Sequence, residues 1–322
     1  MRVLVTGAGG ELGSLVVGLL EADPSVEAVA GTDLVVPRRR PERSSFATID
    51  PRDRPRLVAL VQRFAPTAIA HLGVYEPDAR TAPSLAAERT RSATLAVLGA
   101  AAALGDLDRI VVRSGIEVYG RARGCVSVPD ETCAAMAISP FGRSLWEVER
   151  LAADTGHAAG IPVAMLRLAP VLGPQFPSPL GRVLRLPFVP MALGADPTFS
   201  VVHVEDAARA VVAALHRRVE GPVNVVGPGA VSVFQAIRLG GGYPVPLVGP
   251  LWDVARRLTA LVGAPLPVHH LHLLLRGRTA DGGRAGELLG LDDLRSSREV
   301  VRALHTWATP TLPLQLINGE AA

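Results

Sequence analysis

Nine residues near the start of the chain, Val5-Thr6-Gly7-Ala8-Gly9-Gly10-Glu11-Leu12-Gly13, restrict its fold more than any other stretch. They lie between a short β-branched run, Val3 to Val5, and a segment, Leu12 to Leu20, whose apolar residues recur at helical spacing. Glycine stands at 7, 10 and 13. In a strand–turn–helix unit the first allows a tight turn, the second lets backbone amides approach a pyrophosphate, and the third permits close helix–strand packing. The helix that starts at Glu11 and Leu12 adds its partial positive charge at the same place. An acid, Asp33, follows about twenty residues later at the end of the next strand-like run. Together these features imply a cradle for a dinucleotide.

The pattern beyond the loop agrees with that. Apolar runs at Val26 to Ala30, Ala68 to Leu72, Ile110 to Val112 and Val163 to Leu168 read as strands. Helical stretches fall at about Leu85 to Leu104 and Phe141 to Ala159. Continuous apolar strands alternating with helices predict an α/β fold, a Rossmann-type doubly wound parallel sheet covered on both faces. After Gly173 the texture changes: residues 174–198 are rich in proline and read as loop. A strand and helix follow over Phe199 to Leu215, then a strand at Val223 to Val226. The expected division is a nucleotide-binding domain at 1–173 and a smaller, discontinuous C-terminal substrate-binding region at 174–322, with 199–226 returning to the sheet.

Composition excludes several classes. With 48% hydrophobic and 20% charged residues the chain is globular, not disordered. No run of 18 residues is free of both charge and proline, so no transmembrane helix is expected, nor does the first strand leave room for a signal peptide. Two cysteines, Cys125 and Cys133, read as free thiols of a cytoplasmic protein. The net charge of +3 is carried without a single lysine. The arginine patches at Arg38, Arg39, Arg40 and Arg43, and at Arg52, Arg54 and Arg56, read as solvated, proline-flanked loops and do not imply nucleic acid. A homodimer is compatible with all of this.

The glycine spacing resembles that of the extended short-chain dehydrogenase/reductase superfamily, which includes NAD-dependent sugar-nucleotide epimerases and dehydratases. The resemblance continues through Ala70-His71-Leu72-Gly73, Ser114-Gly115-Ile116-Glu117-Val118-Tyr119-Gly120, Leu166 to Pro174, Val202-His203-Val204-Glu205-Asp206 and Leu288-Leu289-Gly290, in order and over nearly the whole chain. It implies that Gly7, Gly10, Glu11, Leu12, Gly13, Leu72 and Gly73 hold the cofactor. Asp33 would accept hydrogen bonds from the adenosine ribose, which favours NAD(H) over NADP(H), although Arg38 to Arg40 lie close enough to reverse that choice. Asp50 stands where the family places an acid beside the adenine, with Pro51 where an aliphatic residue is usual.

The positions that carry the chemistry are empty. The family uses a Ser or Thr to polarise substrate, a Tyr as acid/base, and a Lys one helical turn beyond it. Here Gly115, Phe141 and Leu145 stand in those places, and Arg89 lies near the place of a supporting Asn. Pro170 and Phe199 replace an Asn and an Arg that meet the substrate diphosphate. Losing a positioned proton-transfer group lowers rate by roughly 10²–10⁴-fold. The expectation is therefore a cofactor-dependent binding or regulatory protein for an unidentified small molecule, with no catalytic residue assigned. The alternative is an epimerase, dehydratase or oxidoreductase using other groups. Ser114, Glu117, Tyr119 and Arg167 are the candidates for its pocket.

Two further features are weighed by the residues alone. His269, His270 and His272 put only two imidazoles on one face, with no Cys or carboxylate adjacent, so no metal is expected. Leu251 to Val262 reads as an amphipathic helix covering a pocket or a neighbouring subunit; Trp252 marks the weaker option of a membrane-surface contact, which is not expected.

Overall fold

The computed structural model describes residues 1–37, 41–78, 81–121 and 126–306. Arg38, Arg39, Arg40 and Cys125 lie outside the described residues, so the arginine cluster near the ribose end is not placed. The core is a seven-stranded, all-parallel sheet. Its strands are β1 (Arg2–Thr6), β2 (Ala28–Asp33), β3 (Ser45–Thr48), β4 (Ala68–His71), β5 (Arg109–Gly115), β6 (Val163–Leu168) and β7 (Gly221–Val225). They are ordered β7-β6-β5-β4-β1-β2-β3. All four residues of β4 are buried, as both faces of a covered parallel strand must be.

The chain reverses its direction of winding between β1 and β4, which pair directly (Val5 beside Ala70, Thr6 beside His71). Ligand crevices of open α/β sheets form at such a switch point, outside the carboxyl ends of the strands. Helix α1 (Glu11–Ala22) packs against the helix Val204–Arg217, while α2 (Arg54–Phe64), α3 (Pro83–Ala101) and α4 (Pro140–Ala159) pack side by side. A second apolar core, including Leu180, Phe199, Val231, Leu273 and Val300, builds the C-terminal part. Among the described residues, no helix is long and apolar enough to cross a membrane.

Three stretches differ from expectation. Arg54 and Arg56 are not in a loop: they open α2, where Asp53 accepts from Arg56 N and Pro55 occupies the first turn. Proline suits that position because the missing N–H has no intrahelical partner there, and Leu57, Leu60 and Val61 bury the other face. The proline-rich 174–198 stretch carries a helix, Pro179–Leu184, capped by Ser178, and a strand, Phe188–Ala192, pairing in parallel with Tyr243–Leu247. Trp252 is not at the surface. In Leu251–Leu261 the buried residues are Trp252 and Thr259, and the stripe Leu251, Val254, Leu258 and Leu261 is the one left exposed.

Candidate functional site

The glycine loop and the ends of β1, β2 and β4 meet at the switch point, where Ala8 N donates to Thr32 O and Leu72 N to Thr6 O. Gly7 has φ 72°, a left-handed conformation that glycine adopts without a Cβ penalty. A Cβ there would sit 2.7 Å from the Leu72 carbonyl and 2.9 Å from Gly73 N, so the turn presses directly on the end of β4. Gly10 differs. It caps α1 in extended conformation, and a Cβ would meet only Gly7 O, at 3.4 Å. The protein has room for a methyl there, so any demand for glycine at 10 comes from what approaches from outside. Glu11 and Leu12 open the helix, where first-turn amides have no intrahelical acceptor.

Asp33 is held at the rim by four donors. Its Oδ2 accepts from Gly9 N (3.0 Å) and Gly10 N (3.2 Å), and its Oδ1 from Leu34 N (2.6 Å) and the Tyr75 hydroxyl (3.3 Å). Four bonds fill a carboxylate's acceptor sites. A ribose hydroxyl that reaches Asp33 must therefore displace one donor, and Tyr75 is the one on a side chain. Burial raises the Asp33 carboxyl, with the four hydrogen bonds opposing it. Burial, reinforced by Asp33, also pushes the Tyr75 hydroxyl up, so it stays a donor. Below the loop, the Thr6 hydroxyl bonds His71 Nδ1 (2.8 Å) and accepts from Gly73 N (3.1 Å). His71 Nε2 lies 2.9 Å from Thr94 Oγ1, which donates to Thr90 O. Thr94 has spent its proton, so His71 donates from Nε2 and Nδ1 accepts. Burial lowers this histidine to about 4 and keeps it neutral.

Asp50 turns onto Arg52, accepting from its Nε (3.1 Å), Nη2 (2.8 Å) and backbone N (2.9 Å). Hydrogen bonds from Arg52 hold its carboxyl down to about 2. Pro51 is buried and has no N–H to offer a base.

Past the end of β5, Gly115, Phe141 and Leu145 line one cavity of about 30 Å³, together with Ser114, Glu117 and Pro170. Ser139 caps α4 by accepting from Gly142 N, which sets Phe141 and Leu145 one turn apart facing the end of β5. A Cβ on Gly115 would fall 2.5 Å from Glu117 Oε2 and 3.1 Å from Leu145 Cδ1. The Glu117 carboxylate thus occupies the space that a side chain at 115 would take. Its Oε1 accepts from Arg278 Nη1 at 3.0 Å, both side chains being buried. The Phe141 ring lies 4.7 Å from that of His269. A wider cavity of about 520 Å³ opens beyond Phe141 and His269, edged by Asp253, Arg256 and Arg257.

The four pocket candidates divide. Ser114 and Glu117 line the small cavity, whereas Tyr119 and Arg167 belong to a buried network that ties β5, β6, β7 and α4 together. Arg167 donates through Nε and Nη2 to both oxygens of Glu149 (2.9 and 2.8 Å), and Ser114 Oγ donates to Glu149 Oε1 (2.5 Å). Arg167 Nη1 donates to the Tyr119 oxygen (2.9 Å), and the Tyr119 hydroxyl donates to Asn224 Oδ1 (2.7 Å). Burial pushes the Tyr119 hydroxyl up, and its proton is already committed. Glu149 carried a readable signal: it falls on the buried stripe of α4 with Leu145, Val148 and Ala152. Glu76 and Arg278, which come to the site from distant loops, carried none.

Residues 3–227 match the profile of the NAD dependent epimerase/dehydratase family. The chain belongs to that family. It is 28% identical over 255 residues to an uncharacterized protein of Mycobacterium tuberculosis, covering 77% of this chain and 68% of the relative. It is 26% identical over 293 residues to a UDP-glucose 4-epimerase of Rhizobium leguminosarum, covering 80% and 82%. The fold matches a UDP-glucuronic acid 4-epimerase from Bacillus cereus, solved with UDP-glucuronic acid and NAD, at a TM-score of 0.72 and 22% identity over 95% of this chain and 98% of that one. As an epimerase/dehydratase family member, the chain belongs to the extended short-chain dehydrogenase/reductase superfamily. The fold gathers Gly115, Phe141 and Leu145, three of the positions at which the sequence departs from the expected pattern, around one cavity.

Proposed function

We propose that this family member binds NAD(H) and acts as a cofactor-responsive binding or regulatory protein, without the Ser/Tyr/Lys proton relay. The residues assigned to the cofactor are Gly7, Gly10, Glu11, Leu12, Gly13, Leu72 and Gly73 for the pyrophosphate half, Asp33 for the ribose, and Asp50 with Pro51 at the adenine edge. The open face at Gly10, the free first-turn amides of α1 and the position of Asp33 support that assignment. The nicotinamide, when bound, can accept or donate a hydride; the chain must supply the accompanying proton transfer.

One observation carries the reading. Gly115, Phe141 and Leu145 converge on a single small cavity, and none of them can exchange a proton. The carboxylate that intrudes there, Glu117, is held by the buried Arg278. A cavity of about 30 Å³ offers room on the order of one water. Calorimetric titration tests the cofactor assignment. NADH is expected to bind more tightly than NADPH, and Asp33→Asn to weaken NADH by about tenfold or more, the effect of a lost charged hydrogen bond. Binding of neither dinucleotide, or preference for NADPH, would overturn it.

A second reading is an enzyme with non-standard groups. It is favoured by the convergence of Glu117, Arg278, Glu76 and His269 beside the cavity. Turnover of a substrate that is lost on Glu117→Gln would establish it.

A further inference from the structure

Among the described residues, one cluster of metal-ligating side chains stands out, and the cofactor groove does not use it. Glu76 lies in the loop after β4, and His269 and His270 open the helix Val268–Arg276, almost two hundred residues away in the chain. Their ligating atoms all lie within 4.8 Å of one another. Glu76 Oε1 is 2.9 Å from His269 Nε2 and 3.6 Å from His270 Nε2. We infer that Glu76, His269 and His270 form a binding site for a divalent transition metal of the zinc class.

The geometry fits the chemistry. Zinc takes imidazole nitrogen at about 2.0–2.1 Å and carboxylate oxygen at about 2.0–2.2 Å, so tetrahedral ligand atoms stand roughly 3.3–3.5 Å apart. The two oxygen–nitrogen separations here bracket that value. Two imidazoles and one carboxylate, with a position left open, are the ligand set of several catalytic zinc sites. Both histidines are buried, and desolvation keeps both neutral, the form that binds metal. His270 adds an independent sign. Its Nδ1 is buried with no hydrogen-bond partner, and its Nε2 stands beyond bonding distance of Glu76. A metal on Nε2 would give that nitrogen the partner that Glu76, just out of reach, does not.

The surroundings set the character of the site. Glu76 and His270 line the small cavity with Arg113 and Glu117, which places the open position toward that cavity. The charges of Arg113 and Arg278 are balanced by Glu76 and Glu117, so the pocket holds no net positive charge before a metal enters. A dication bound there keeps excess positive charge, which favours an anionic fourth ligand such as hydroxide or a carboxylate. No residue of this cluster is part of the proposed dinucleotide cradle.

The test is cobalt(II) titration of chelator-treated, tag-free protein, read by absorption between about 500 and 650 nm and by calorimetry, with zinc as competitor. One cobalt per chain is expected, with a tetrahedral visible band that zinc abolishes. His270→Ala and Glu76→Gln should each weaken binding by more than about 100-fold, exceeding the loss typical of removing a supporting group. Circular dichroism and the melting temperature show whether each variant is folded. Should one unfold, His270→Gln replaces it. Absence of heat and of a visible band, or equal binding by the folded variants, would overturn the site. NADH titration of the same samples separates this result from the cofactor assignment.

Discussion

Replacing Arg167 by alanine is expected to lower the stability of the fold by about 3–5 kcal/mol, the range for breaking a buried ion pair from one side. Arg167 and Glu149 are about 4% and 2% exposed, and their two parallel bonds are the only ones that match charge with charge in this network. Removing the guanidinium leaves the Glu149 carboxylate buried with only the Ser114 hydroxyl. It also strips the Tyr119 oxygen of its donor, loosening the link through Asn224 to the edge strand β7. Replacing both partners together, Arg167→Met with Glu149→Leu, should restore most of the loss, since no charge is then stranded. Urea unfolding midpoints measure both. A loss under about 1 kcal/mol for the single variant would contradict the structural role given to Arg167 and leave it as a pocket residue.

Gly10→Val is expected to reduce NADH affinity by at least 100-fold while costing no more than about 1 kcal/mol of stability, the scale of a helix-cap change. The two effects separate because the extended backbone and the open Cβ direction at Gly10 allow a side chain as far as the protein is concerned. The branched side chain would instead fill the approach to the first-turn amides of α1. Tyr75→Phe should act in the opposite sense. It removes the hydroxyl that a ribose must displace from Asp33, and a long hydrogen bond to a carboxylate corresponds to roughly a tenfold gain in affinity. Calorimetry and thermal unfolding of the same preparations read both quantities. Unchanged NADH affinity in folded Gly10→Val would remove the pyrophosphate from this loop.

Local geometry was legible in the sequence wherever neighbours in the chain are neighbours in space. The glycine loop, Asp33 at the end of β2, and the alternating strands and helices depend on spacing, and spacing is what a sequence displays. Gly115, Phe141 and Leu145 could be placed for the same reason, since a strand end and one helical turn define their geometry. Arg54 and Arg56 misled because proline near a helix start and proline in a loop look alike until a cap such as Asp53 is recognised. For Tyr119 and Arg167 a strand end offers two directions, toward the cavity or into the sheet's interior, and their distant partners Glu149 and Asn224 draw them inward. The meeting of Glu76 with His269, or of Glu117 with Arg278, spans more than 150 residues of chain and has no local signature.

On the function proposed above, this family member keeps the fold and the cofactor cradle but not the standard chemistry. The most direct measurement is UDP-glucose/UDP-galactose interconversion by the purified protein saturated with NAD⁺. Interconversion no higher than trace is expected, and Phe141→Tyr alone should not rescue it, because a tyrosine without a neighbouring cation keeps a pKa near ~10. Sustained turnover by the unmodified protein, abolished by Glu117→Gln, would show that proton transfer had moved to another group and would contradict the account.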